Sequence, residues 1–571
     1  MSTGTGLIEN DALVATDAEV ATEQPTQDDT NAQIAGATGI LALGNILSRV
    51  LGLARETVLT FLFGATAAVD AFQVAIIIPK ALYDLLIGGH VNGAIVPVLS
   101  EIVTLHGREE LWRVLSILVS LLTAILLALL LVIQVFAPQI VQIAAGGADT
   151  ATLALATDLL RFTSPALLFL GLFAIFSGTL YALKSFTFPA LAGVTFNASI
   201  VLITLLFAPP YEIRFFTDFS PEYINPVFIG RNPAGISIVA FGWFIGAFMQ
   251  FLIQLPGLKN ARLRLSFDWR HPALRSIALL YAPVMFSLVM DTLIMRPFSY
   301  NLASRTGDGS IAYMNWSTTL IQFPQGLVAT AISIAILPTL AGYAAQVTDG
   351  GLKAFKDTLG LGLRLATTLI IPATAGLFIL ATPIIALLFE HGAFTADMTD
   401  VTAQALRLYL FGLPFAAIDL LLVYAFYARK DTVTPALIGV FSLVVYMVIA
   451  SAGLERFGLF SLMLADSAKH IVHAVISAVL LRRQLKGFGQ QRLLITAFRT
   501  TIAAGVMVII AMLTLPALTD IIGTQGILRE ALLVMVTGVL YGGIFIGLAL
   551  LLKVEELLWL VQLIRQRLTR K

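Results

Sequence analysis

No cysteine occurs in this 571-residue chain. That absence excludes disulfide frameworks, thiolate zinc sites, iron–sulfur clusters and cysteine nucleophiles. Charge is scarce too. Asp, Glu, Lys and Arg make up 12% of the residues, against about a quarter in soluble domains. A net charge of +1 gives no broad basic surface for nucleic acid. The sequence also lacks a nucleophile–base pairing, a phosphate-cradling glycine loop and metal-ligand spacing. A transporter is therefore expected rather than an enzyme, with no cofactor and no metal. A signal peptide is missing as well: residues 1–33 are polar and acidic (Glu9, Asp11, Asp17, Glu19, Glu23, Asp28, Asp29), without the basic-then-apolar order of a leader. They read as a disordered cytoplasmic tail.

Apolar residues are what the chain has in excess. It is 58% hydrophobic, with a mean hydropathy of +0.90. A soluble fold of this length could not hide so much apolar surface, so the bilayer is the expected solvent. A spanning helix needs roughly 20 mainly apolar residues, and about fourteen stretches qualify: 34–63, 69–100, 112–136, 149–183, 186–208, 233–257, 276–303, 311–345, 354–381, 399–427, 433–453, 459–483, 493–516 and 528–553. Loop charge orients them. Even-numbered loops and the C-terminus hold about twenty Lys and Arg, odd-numbered loops about five, a strong positive-inside bias. Both termini are expected in the cytoplasm, and an inner-membrane location follows. Residues 554–571, which mix Leu and Trp559 with Arg565, Arg567 and Arg570, read as a basic amphipathic helix on the inner leaflet.

The chain also repeats itself. Span four carries Arg161, Tyr181-Ala182-Leu183-Lys184 and Pro189-Ala190-Leu191. Span ten carries Arg407, Tyr427-Ala428-Arg429-Lys430 and Pro435-Ala436-Leu437, all at an offset of 246. Ala94-Ile95-Val96-Pro97-Val98-Leu99 returns as Ala335-Ile336-Leu337-Pro338-Thr339-Leu340 at an offset of 241. Chance matching in apolar sequence is the other reading, but two ordered matches at nearly one offset argue against it. Spans one to six thus repeat as seven to twelve. The expected class is an all-α membrane protein: two six-helix lobes in parallel repeat (34–257 and 258–483), two extra helices within 484–553, and the tail 554–571.

Charges at membrane depth cost several kcal/mol each and mark function by default. They cluster here. Span one has Arg49, Arg55 and Glu56; span two has Asp70, Lys80, Asp84 and His90; span seven has Asp291 and Arg296. The 241 offset carries Arg55 onto Arg296, so two arginines face one another across the axis between the lobes. A cationic cavity follows, and arginine forks match phosphate oxygens. An anionic phosphate or pyrophosphate head group is the expected ligand of Arg49, Arg55, Arg296 and Lys80, with Glu56 and Asp70 as ion-pair or gating partners. A purely structural pairing of Arg55 with Glu56 or Asp70 stays open, as does a local Lys80–Asp84 pair. Arg49 and Arg55 lie about 120° apart on an ideal helix and share a face only if the helix bends, which Gly52 would ease. Gly52, Pro79, Gly88 and Gly89 are the expected hinges. In span twelve Asp466, Lys469, His470 and His473 form either a proton or ion relay or a satisfied polar cluster.

The run Ser48-Arg49-Val50-Leu51-Gly52-Leu53-Ala54-Arg55-Glu56, with Val69-Asp70-Ala71-Phe72, Ile78-Pro79 and Ala94-Ile95-Val96-Pro97-Val98-Leu99-Ser100-Glu101, resembles the MurJ/MviN family of lipid II flippases in the multidrug/oligosaccharidyl-lipid/polysaccharide exporter superfamily. The likeness continues through Gly309-Ser310-Ile311, Gln322-Phe323-Pro324, Leu388-Phe389-Glu390-His391-Gly392-Ala393-Phe394-Thr395 and Ala425-Phe426-Tyr427-Ala428, over roughly residues 34 to 553. The resemblance implies alternating-access transport of lipid II, essential charges at Arg49, Arg55, Asp70 and Arg296, and a groove for the lipid tail in the extra helices. Membrane lipids and cell-wall synthesis enzymes are the implied partners. The sequence departs from the family where Tyr83 replaces an arginine, Gly88 a glutamate and Tyr424 an arginine. Polar residues of a sodium site seen in relatives are missing near Tyr446 and Ala450. The other readings are a carrier of another polyprenyl-linked glycan, and a non-transporting scaffold of the cell-wall machinery.

Overall fold

The computed structural model describes residues 27–81, 90–207, 235–259, 261–277, 289–346, 349–488, 491–524 and 526–559. Among them the chain is helical, with no strand. Helix α1 (Gln27–Phe63) starts earlier than the expected Ile34. Residues 27–33, expected in the tail, thus belong to a helix. The second span opens with α2 (Ala67–Ala75) and ends in α3 (His90–Leu105).

Then follow α4 (Gly107–Ala145), α5 (Thr150–Thr163), α6 (Ala166–Ala182), α7 (Thr187–Phe207) and α8 (Ile236–Leu252). A π-helical turn, Met290–Met295, leads into α9 (Arg296–Ala303). After it come α10 (Ser310–Pro324), a π segment (Gln325–Thr330) and α11 (Ala331–Ala344). The chain closes with α12 (Asp349–Ile379), α13 (Ala381–Phe389), α14 (Ala396–Leu410), α15 (Leu413–Ala428), α16 (Val433–Phe457), α17 (Phe460–Gln484), α18 (Leu493–Ile522) and α19 (Ile527–Leu551).

Proline sets the breaks, because it lacks an N–H for the carbonyl four residues earlier. Pro165 frees Arg161 O, which accepts from Gln134 Nε2 at 2.8 Å and Ser164 Oγ at 3.2 Å. Pro79 frees Ala75 O, to which Thr163 Oγ1 donates at 3.5 Å. The chain turns at Ile76, just after α2.

Among the described residues nine helices are long and apolar enough to cross a membrane, or eleven if the bent pairs α5–α6 and α14–α15 each count as one. The expected spans outside that count are the first, which is α1 with its Arg49, Arg55 and Glu56, and the second and seventh. The last two run through residues 82–89 and 278–288, outside the described set, where Gly88, Gly89, Tyr83 and Asp84 also lie.

The internal repeat has a geometric counterpart. The α5–α6 bend is 44° and the α14–α15 bend 43°. Each bent pair ends in a left-handed lysine, Lys184 at φ 59° and Lys430 at φ 61°. Each lysine is followed by an N–H reaching back across the turn, Ser185 N to Leu180 O and Asp431 N to Phe426 O. That is a helix-ending motif usually built on glycine. Packing repeats as well: α7 lies on α1 and α8, as α16 lies on α9 and α17, and α3 lies on α6 as α11 lies on α15. Helices α18 and α19 pack together and against α12. Large apolar residues such as Leu131, Val448, Leu513 and Val539 stay exposed on the outer helix faces, as lipid contact requires and water would penalise.

Candidate functional site

Helices from the first and second halves of the sequence enclose a cavity of about 510 Å³. Helices α1, α2 and α7 wall it from one side, and α9, α10, α16 and α17 from the other. Among the described residues its charged lining is Arg49, Arg55, Lys80, Arg296 and Lys469, against Glu56 and Asp466. The excess of cations suits an anion, and a partly enclosed cavity strengthens the attraction.

Arg55 is held from two sides. Its Nη1 donates to Asn197 Oδ1 at 3.0 Å, and its Nε and Nη2 both donate to Glu56 Oε1, Nε at 3.2 Å. Asn197 is itself fixed on α7 by bonds from Nδ2 to Ser48 O and Gly193 O. Glu56 is buried and uses its second oxygen across the interface, accepting from Trp316 Nε1 at 3.1 Å. Trp316 is fully buried among Phe389 and Phe394. The arginine is thus aimed into the cavity by a chain of side chains that spans both halves.

Arg49 lies against the π segment: a Cβ added to Gly326 would sit 2.8 Å from its Nη2. Arg296 begins α9 directly after the π turn, with Pro297 as its second residue. Such wide turns recur at functional positions. Lys80 lies just beyond the break at Ile76 and lines the same cavity.

Two expectations need correction. α1 runs unbroken through Gly52, so no bend brings Arg49 and Arg55 together, yet both line the one cavity. Gly52 faces Asn197, with a built Cβ 3.7 Å from Nδ2. Among the described residues Asp70 pairs with no arginine. Its Oδ1 accepts from Ala312 N at 2.9 Å, capping the first turn of α10, whose own cap position is Gly309. An acceptor there satisfies one of the orphan N–H groups of a helix start.

That cap belongs to a seal at one end of the cavity. Ala393 N donates to Phe61 O at 2.9 Å and Asn301 Nδ2 to Ile143 O at 2.9 Å. Gly64 and Gly392, at φ 58° and 64°, let the two backbones approach: a Cβ on Gly64 would lie 2.6 Å from Ala393 O, and one on Gly392 would collide with Phe61 O.

The family model described as "Lipid II flippase MurJ" matches residues 59–537. The chain is a member of the lipid II flippase MurJ family. It is 31% identical over 408 residues to the lipid II flippase MurJ of Burkholderia cenocepacia, covering 70% of this chain and 74% of that one. It is 29% identical over 528 residues to the probable lipid II flippase MurJ of Bdellovibrio bacteriovorus, covering 91% and 94%. The solved structure titled "Lipid II flippase MurJ, inward closed conformation" superposes with a TM-score of 0.70 at 25% identity over 88% of this chain and 98% of that one. An inward-facing multidrug resistance MATE family transporter of the MOP superfamily shares the fold, with a TM-score of 0.60 at 14% identity over 77% and 94%.

Within this MurJ family site, sequence reasoning had no account of Asn197 or Trp316. Asn197 could have been flagged as a lone amide in the apolar fifth span. Nothing in the sequence pairs Trp316 with Glu56, because the two meet only once the halves pack.

Proposed function

We propose that this chain carries lipid II, the polyprenyl-pyrophosphate precursor of peptidoglycan, from the inner to the outer leaflet of the cytoplasmic membrane. The carrying observation is the convergence of Arg49, Arg55, Arg296 and Lys80 on one cavity between the halves. A pyrophosphate offers the oxygens that arginine forks bind. The names of the relatives supply the cargo.

The reading continues as about fourteen spans in two six-helix lobes, 34–257 and 258–483, with both termini cytoplasmic. On this reading the sealed end carries the odd-numbered loops and faces outward, and the cavity is reached from the inner side. Rocking the lobes about the cavity would break the seal and expose the head group on the other side. Asp70 and Glu56 act as gate residues because each joins the two halves. Pro79 supplies a hinge in the second span, with Gly88 and Gly89 beyond it. The groove of α18 and α19 takes the lipid tail. Energy comes from an ion gradient or the membrane potential, worth about 2.3 kcal/mol per charge per 100 mV. Cell-wall synthesis enzymes are the expected neighbours in the membrane.

The deciding experiment is complementation of a strain depleted of its lipid II flippase. Wild-type protein rescues growth, and Arg55→Ala and Arg296→Ala insert normally but do not. Rescue by both variants at near wild-type level defeats the site. Failure of inserted wild type to rescue favours a scaffold or a different glycan carrier.

A further inference from the structure

We infer that Asp419 and His473 form a proton-binding site whose occupancy is coupled to transport. The inference rests on the flippase reading above and extends it to the driving ion.

Asp419 sits on α15 and His473 on α17, with His473 Nδ1 2.6 Å from Asp419 Oδ1. Both side chains are about 15% exposed. Ser477 Oγ lies 3.3 Å from the same nitrogen, so the Nδ1 side is fully engaged. The Nε2 side is not. It makes no hydrogen bond among the described residues and faces Gly439 of α16, where a built Cβ would be 3.8 Å away. A neutral imidazole donating from Nδ1 leaves Nε2 as an open base. One proton taken from a hydronium ion of the cavity water onto Nε2 leaves a water behind. It converts a carboxylate–imidazole pair of charge −1 into a neutral carboxylate–imidazolium pair. At membrane depth that removes a net charge.

A path leads to it. Asp466, Lys469, His470, His473 and Ser477 recur at three- and four-residue spacing on one side of α17. Asp466 and Lys469 line the cavity. Asp466 accepts from Lys469 Nζ at 2.7 Å and lies 3.6 Å from His470 Nε2. Among the described residues, Tyr427 on α15 and His470 on α17 interact electrostatically with Asp419, Tyr424 lies beside Tyr427, and Tyr409 on α14 and Tyr446 on α16 interact with Asp466, while α9, which also packs on α17, carries Arg296 and Tyr300. Of the other helices against α15, α12 has Arg364 tied to Glu556, and α11 has no charged residue.

The pair also sits where it can act. α17 braces the α14–α15 bend, with Ser467 Oγ donating to Leu408 O at 2.7 Å and packing against Gly412. The Asp419–His473 tie is the next hold of α17 on α15 below that bend. The fold does not demand it. At the 246 offset the first half has Phe173, buried in apolar packing.

The first test is histidine-labelled full-length protein in lipid nanodiscs, followed by NMR. The chain has only six histidines, so His473→Gln assigns the signal. We expect the His473 ring signal to show proton exchange at its second nitrogen, and Asp419→Asn to alter that signal. A ring that keeps one protonation state throughout overturns the site. The second test uses proteoliposomes with labelled lipid II and the potential clamped by potassium and valinomycin. An imposed pH gradient should change wild-type flipping by about fivefold or more and leave both variants unresponsive. Equal responses in wild type and variants, or none in the wild type, overturn the coupling. Failure of the cargo reading shows separately, as wild type that moves no lipid II at any pH.

Discussion

Trp316 Nε1 donates to Glu56 Oε2 at 3.1 Å, and the other oxygen of the same carboxylate holds Arg55. One buried acid therefore fixes the cavity arginine and joins the halves of the molecule. Trp316→Phe removes the donor and leaves a buried carboxylate oxygen short of a partner, at a cost of about 1–3 kcal/mol. Thermal unfolding of the purified variant should show that loss together with reduced flipping. Glu56→Gln should keep the Trp316 bond yet lose flipping, because Arg55 loses its counter-charge. Wild-type behaviour of both variants would remove Glu56 from the mechanism.

Asp70 separates two accounts of an intramembrane acid. As a cap on α10 it needs an acceptor oxygen, not a charge. Asp70→Asn should then keep the protein folded and sealed, whereas Asp70→Ala loses about 0.5–2 kcal/mol and loosens the seal. If both variants fail alike in stability and accessibility, the capping account is wrong and charge pairing returns.

The seal can be opened from one residue. Gly392 combines a φ of 64° with a carbonyl in the path of any Cβ, and a left-handed non-glycine residue costs about 1–2 kcal/mol. Gly392→Val should raise access to the cavity from the outer face. The chain has no cysteine, so a single Asn315→Cys reporter on the cavity wall can be labelled without background. Labelling by an impermeant reagent should be slow in the reporter alone and fast with Gly392→Val added. Unchanged labelling would argue that the seal lies elsewhere.

Gly326 tests the π segment. The three atoms nearest a methyl group there all belong to the mobile end of Arg49, so Gly326→Ala should leave stability within about 0.5 kcal/mol of wild type. It should still weaken lipid II binding, by displacing that guanidinium. Gly326→Leu should abolish binding. Native mass spectrometry of the full-length protein with lipid II reads both effects, and undiminished binding by the leucine variant would take Arg49 out of the site.

The helical membrane class and up to eleven of the expected spans were legible because hydropathy is carried by the residues themselves, and the cavity's charges stood out as polar residues in apolar runs. The pairing of Arg55 with Arg296 across the molecule came from an offset alone, and the two line one cavity. Contacts made between halves were not legible. Asp70 reads as an ion-pair partner because aspartate near arginine suggests one, yet the N–H of Ala312 reaches it first. Gly52 reads as a bend, but nothing in the sequence tells how far an arginine side chain will extend around a straight helix. The α17 cluster was visible, while its partner Asp419 was hidden as one acid in an apolar span.

The matched 44° and 43° bends, each followed by a left-handed lysine at the same place, have a consequence for inheritance of change. A substitution that alters the flexibility of one bend has a twin position 246 residues away with nearly the same backbone geometry. Lesions at Lys184 and Lys430 should then behave as a matched set, each restoring balance to a molecule unbalanced by the other. Suppressors of a defect in one half should therefore be sought first at the mirrored address in its sibling.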